Sequence, residues 1–155
     1  MSEPDKNAPL PTMSQHDAQT WAQHMTEYMA QTGGLQLSPA ETRANFNQCV
    51  GKHDELTTDG RFTLMYSAYA DVPRDQQPAV ARKIRDMLKG QEFTISSYRE
   101  YVDGESEVLM YANHSKSHYL ITVGRAGRNG SAERVMFAVD TPCLMPPNSS
   151  PAQSG

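Results

Sequence analysis

Hydrophobic positions change period several times along the chain, and each change marks an element. After Ser14, the residues Ala18, Trp21, Ala22, Met25, Tyr28 and Met29 recur at the spacing of one helical face. Ser14 can cap that helix, Asp17 suits the positive end of its dipole, and Gly33-Gly34 supplies a stop. From Thr42 to Val50 the residues Ala44, Phe46 and Val50 alternate with polar ones, which predicts a strand. Thr57-Thr58-Asp59-Gly60 reads as a turn, and Phe62, Leu64, Tyr66 and Ala68 alternate as a second strand. Pro73 fits the first turn of a second helix. Its apolar stripe is Val80, Ile84, Met87 and Leu88, with Arg82, Lys83, Arg85 and Asp86 on the wet side and Gly90 at its end. Four strands follow. Phe93 and Ile95 lead the first, and the Asp103-Gly104 turn separates it from a second around Val108 to Tyr111. Tyr119, Ile121 and Val123 form the third, and Val135, Phe137 and Val139 form the last.

Strands joined by short turns run antiparallel, and the last four leave no room for parallel crossovers. The expected fold is therefore α+β, in the order α-β-β-α-β-β-β-β. About six antiparallel strands form one sheet, with two helices packed on one face. The folded body is expected at residues 14 to 145. Residues 1 to 13 hold three prolines among polar residues and read as a disordered linker, and 146 to 155 read as a disordered tail. Two helices leave the other sheet face to its own side chains. On the strand from Phe93, alternation puts Phe93 and Ile95 on one face and Thr94, Ser96, Tyr98 and Glu100 on the other. Ser97 and Arg99 continue the first phase, so the pattern fades there or breaks at a bulge. Tyr66, Tyr69, Tyr98, Tyr101, Tyr111 and Tyr119 all fall on or beside predicted strands. An aromatic on an uncovered face can anchor a partner, so contact is expected around Tyr98 rather than in a deep pocket.

Composition narrows the function. The 155 residues suit one domain, and 14 basic against 18 acidic residues give a net charge of −4. That mild balance offers no electrostatic reason to expect nucleic acid. No apolar run reaches transmembrane length. There is no Walker loop, no G-x-G-x-x-G, no H-E-x-x-H and no pair of C-x-x-C motifs, so no cofactor is expected.

The two cysteines bear on location. Cys49 lies at the end of the first strand and Cys143 ends the last, each beside a glycine or proline turn rather than in a ligand pair. Two buried free thiols and a disulfide are both open readings. The disulfide is preferred, and it would place the chain in an oxidising compartment. Yet Ser2 to Pro11 is polar where a secretory leader needs an apolar stretch. Either the protein is cytosolic with free cysteines, or a leader has been cut away; the second suits the residues better. The opening Ser-Glu-Pro-Asp-Lys-Asn with its proline-rich run resembles the spacer after the lipidated cysteine of mature bacterial lipoproteins, with Met1 in that cysteine's place. The Gln-Cys-Val-Gly and Thr-Pro-Cys-Leu-Met-Pro-Pro segments are similar to those of small uncharacterised lipoproteins of actinobacteria. The resemblance implies an extracytoplasmic location behind an N-terminal lipid anchor, supports the disulfide, and implies no activity.

Candidate chemistry is sparse. His114 and His118 flank Ser115-Lys116-Ser117 and would face each other if those three residues were a hairpin tip. Two histidines supply half of a zinc or copper shell at most, and Lys116 between them repels a cation. Asp54, Glu55, Glu105 and Glu107 lie in turn-like stretches, where solvated carboxylates do no acid–base work. Arg125, Arg128 and Arg134 surround the loop from Gly124 to Gly130, but a strand rather than a helix follows it, unlike a phosphate loop. The expected function is a non-enzymatic extracytoplasmic interaction module with an unidentified protein or small-ligand partner. The alternatives are a small metal-dependent or hydrolytic enzyme using His114 and His118, and a cytosolic adaptor or secretion chaperone with reduced thiols.

Overall fold

Two helices cover one face of a six-stranded sheet in a computed structural model, which describes residues 11–50, 60–100, 109–126 and 133–147. The elements are α1 (Gln15–Gly33), β1 (Arg43–Gln48), β2 (Phe62–Asp71), α2 (Gln77–Gly90), β3 (Phe93–Arg99), β4 (Leu109–His114), β5 (Leu120–Ala126) and β6 (Arg134–Asp140). Their order along the chain is the expected one. The sheet order is β1-β2-β6-β5-β4-β3, and every neighbouring pair is antiparallel. The last strand thus inserts at the centre, between β2 and β5.

Local chemistry explains the element ends. The Ser14 hydroxyl accepts the Asp17 N–H at 3.0 Å, satisfying one of the helix's unpaired donors. Gly34 closes α1 with φ of 72°, a conformation that a side chain would strain. Ala18, Ala22, Met25 and Met29 are buried, but Tyr28 is 44% exposed and does not belong to the stripe. It flanks the row at the wrong helical angle to reach the sheet. Pro73 does not open α2: a short 3-10 turn, Arg74–Gln76, intervenes and Pro78 occupies the first α turn. The reason lies in Gln77, buried at that junction, whose amide donates to the Val72 carbonyl at 3.0 Å. Val50 falls beyond the end of β1 and is exposed.

The core lies between the helices and one sheet face. Met29, Ile84 and Leu88 from the helices meet Leu64, Met110, Ile121, Val123, Phe137 and Val139, all fully buried. Each such side chain contributes about 1.5–3 kcal/mol by leaving water. Trp21 sits at the margin of this core, its ring edge-on to Tyr119 with centroids 4.4 Å apart.

The ordered body begins before residue 14. Met13 donates to the Met145 carbonyl at 2.9 Å, and Met145 donates to Pro11 at 2.8 Å, so residues 11 to 13 pair with the C-terminal segment rather than acting as linker. Residues 1 to 10 and 148 to 155 lie outside the described residues, as do the Asp103-Gly104 turn and the loop beyond residue 126.

Cys49 and Cys143 form a disulfide, with Cα atoms 6.0 Å apart and a sequence separation of 94. β1 and β6 flank β2, which brings the cysteines together. Cys49 donates to the Arg61 carbonyl at 3.3 Å, while Phe62 and Leu144 exchange backbone hydrogen bonds of 2.9 and 2.7 Å. Both cysteines are therefore held beside the first residues of β2.

Candidate functional site

Among the described residues no element covers the sheet face away from the helices, here the open face, and strand register assigns its residues. Across the central strands, Met65, Asp140 and Leu120 form one row. Ser67, Ala138, Thr122 and Tyr111 form the next, and Tyr69, Met136 and Gly124 the third. Met65 is 53% and Tyr111 38% exposed. A one-sided antiparallel sheet ordinarily turns polar residues to water. Here the middle of the wet face is methionine, leucine, tyrosine, alanine and hydroxyl residues, with charge mainly at the margins.

Those charges are arranged. Arg134 holds the Glu41 carboxylate through Nη1 and Nη2 at 2.5 Å each, its Nε lies 3.3 Å from Asp71, and its guanidinium lies 5.1 Å from the Tyr69 ring centre. Glu41 and Asp71 hold its pKa above the ordinary arginine value, the Glu41 hydrogen bonds most of all. Asp140 is different. It sits half-buried between Met65 and Leu120, and burial pushes its carboxyl pKa upward. Among the described residues no cation pairs with it.

Tyr98 is not on this face. β3 pairs Ile95 with Ala112, but then Ser97 with Tyr111 and Tyr98 with Met110, so Ser96 is the extra residue of a bulge. The bulge advances the phase by one, turning Tyr98 toward the helices with the buried Met110. Its ring packs against the core margin with the Arg85 guanidinium 4.7 Å above it. Its hydroxyl donates to Glu100, which also receives Arg82 through Nε and Nη2 at 2.9 Å each. Burial first, then the Glu100 bond and charge, push the Tyr98 hydroxyl pKa far above its ordinary value. Hydrogen bonds from Arg82 and Tyr98 lower that of Glu100. This cluster fastens α2 to the end of β3, on the opposite side of the sheet from the one expected for Tyr98.

The tyrosines divide accordingly. Tyr66 and Tyr119 are buried on the helix side, Tyr69 and Tyr111 lie on the open face, and Tyr101 lies outside the described residues. Sequence reasoning missed Met65, Met136 and Leu120 as the surface. The signal that could have found them is apolar residues in the polar phase of β2, β6 and β5.

His114 and His118 do not face one another. His114 donates its backbone N–H to Tyr119 at 2.9 Å, which makes Tyr119 its cross-strand neighbour and leaves His118 in the turn with φ of 61°. The His114 Nδ1 accepts the Ser117 N–H at 3.1 Å, and its ring stands edge-on to Phe93. Its imidazole therefore shapes the turn. Among the described residues, no group of three or more potential metal ligands comes together. Asp54, Glu55, Glu105 and Glu107 lie outside the described residues, as does Arg128.

No described helix is long and apolar enough to cross a membrane. Comparison with protein-family models, with curated proteins and with solved structures finds no match to this chain.

Proposed function

We propose that this chain is a non-enzymatic extracytoplasmic interaction domain, the water-facing part of a lipid-anchored lipoprotein, and that the open sheet face is its working surface. The observation that carries the reading is the apolar middle of that face, where Met65 and Tyr111 stand in water beside Leu120, Met136 and Tyr69. An apolar centre with a charged margin is the anatomy of a protein interface. The disulfide supports the location, because such bonds persist in oxidising compartments. The lipid anchor rests on the resemblance of the first residues to a lipoprotein spacer.

A photo-crosslinking residue placed at Met65 or at Tyr111 in producing cells tests the surface. Adducts are expected from both positions and not from Tyr28 on α1, which is also exposed. Equal labelling from all three, or from none, would overturn the assignment. Trapping thiols in the same cells tests the location: Cys49 and Cys143 should resist alkylation until reductant is added. Two alkylated thiols in a cytoplasmic fraction would instead favour the cytosolic adaptor.

A further inference from the structure

We infer that the occupant of the open face is a second copy of this chain, packed sheet on sheet with its β6 running antiparallel over the first; this rests on the open-face reading above. β6 lies inside the sheet, and its outward residues are Arg134, Met136, Ala138 and Asp140. Read in reverse, that series becomes acid, small, large, base. A two-fold axis between the sheets, lying across the strands, therefore sets each Arg134 against the other copy's Asp140 and each Met136 against the other's Ala138. On β2 the same operation sets Ser67 against Tyr69. A two-fold interface requires such self-complementarity, because one patch must fit itself.

Two further observations agree. Asp140 is a half-buried carboxylate with no paired cation among the described residues, the group that gains most from one brought by a partner. Arg134 keeps donors for it, because each Nη carries two N–H groups and the Glu41 carboxylate takes one from each. The extent of the face also suffices. Six strands about 4.8 Å apart, each about seven residues long, span roughly 29 by 23 Å, the same order as the ~800 Å² per partner of a standard interface. Facing sheets pack about 10 Å apart and cross at about 30°, so the matched pairs are those nearest the centre.

Light scattering after size exclusion, over a dilution series of the oxidised chain, reads the outcome. The wild type is expected at the mass of two chains, and Met136→Glu at the mass of one with unchanged circular dichroism. Should Met136→Glu fail to fold, Thr122→Glu on β5 carries the same test. Asp140→Arg should weaken the dimer about tenfold or more by facing Arg134, and adding Arg134→Glu to the same chain should restore it. A wild type monomeric at every concentration, or a dimer indifferent to these variants, would overturn the proposal. A monomer that still crosslinks to a different protein from positions 65 and 111 would overturn self-pairing while leaving the open face as the working surface. No adduct from either position would remove both.

Discussion

Tyr98 shows how one inserted residue reassigns a side chain. With Ser96 looped into a bulge, the ring leaves the solvent side and fills the margin of the core beneath Arg85. Tyr98→Ala is therefore expected to cost stability, about 2 kcal/mol for a half-buried aromatic, when read by urea denaturation. Its bond to Glu100 also has a pH signature. The folded-state pKa of Glu100 lies below the ordinary value near 4.5, so its ionised form stabilises the fold. That contribution is complete above the ordinary value and disappears as pH falls through the lower folded-state one. Glu100→Gln should thus lower the melting temperature at neutral pH, and the gap to wild type should close in strong acid. A gap independent of pH would mean that Glu100 acts by packing alone.

Element ends depend on single local contacts. α1 starts where the Ser14 hydroxyl meets the Asp17 N–H and stops where Gly34 turns left-handed. Ser14→Ala should cost about 1 kcal/mol, and Gly34→Ala a similar amount from backbone strain. Gly33 has a separate role at the contact between the helices. A Cβ there would come within 2.9 Å of Val80 Cγ1, a short branched side chain with little room to move. Gly33→Ala should therefore loosen α1 from α2 despite alanine's better helix propensity. Hydrogen exchange would show it as faster opening in α2.

At the scale of the whole molecule, the disulfide joins the ends of two strands that never pair with each other. Closing a loop of 94 residues restricts the unfolded chain by about 4–5 kcal/mol in the chain-entropy account. The double substitution Cys49→Ser with Cys143→Ser should lose stability of that order in urea, and reductant should then make no further difference. A loss below about 1 kcal/mol would mean that the pairing of Phe62 with Leu144 already holds this end of the sheet.

Periodicity in the sequence determined the kinds of element, their order and the inner face. A strand such as Phe62-Leu64-Tyr66-Ala68 can bury its apolar residues in only one way, and the stripe from Ala18 to Met29 has only one face to bury. The cap at Ser14 and the stop at Gly34 were legible because those signals act within a few residues. What depends on distant residues was not legible. The insertion of β6 between β2 and β5 decides that Cys49 reaches Cys143 and that Met65, Asp140 and Leu120 form one row. The sequence around Ser96 allowed a bulge or a fading strand, and only pairing with β4 chose the bulge and turned Tyr98 inward. His114 and His118 were separated in the same way, because the register of β4 with β5 selects Tyr119 as the facing residue. Local patterns fix which side of an element is apolar, since burial is decided residue by residue. Register and strand order fix which side chains meet, since hydrogen bonds across the sheet are made between segments remote in the chain.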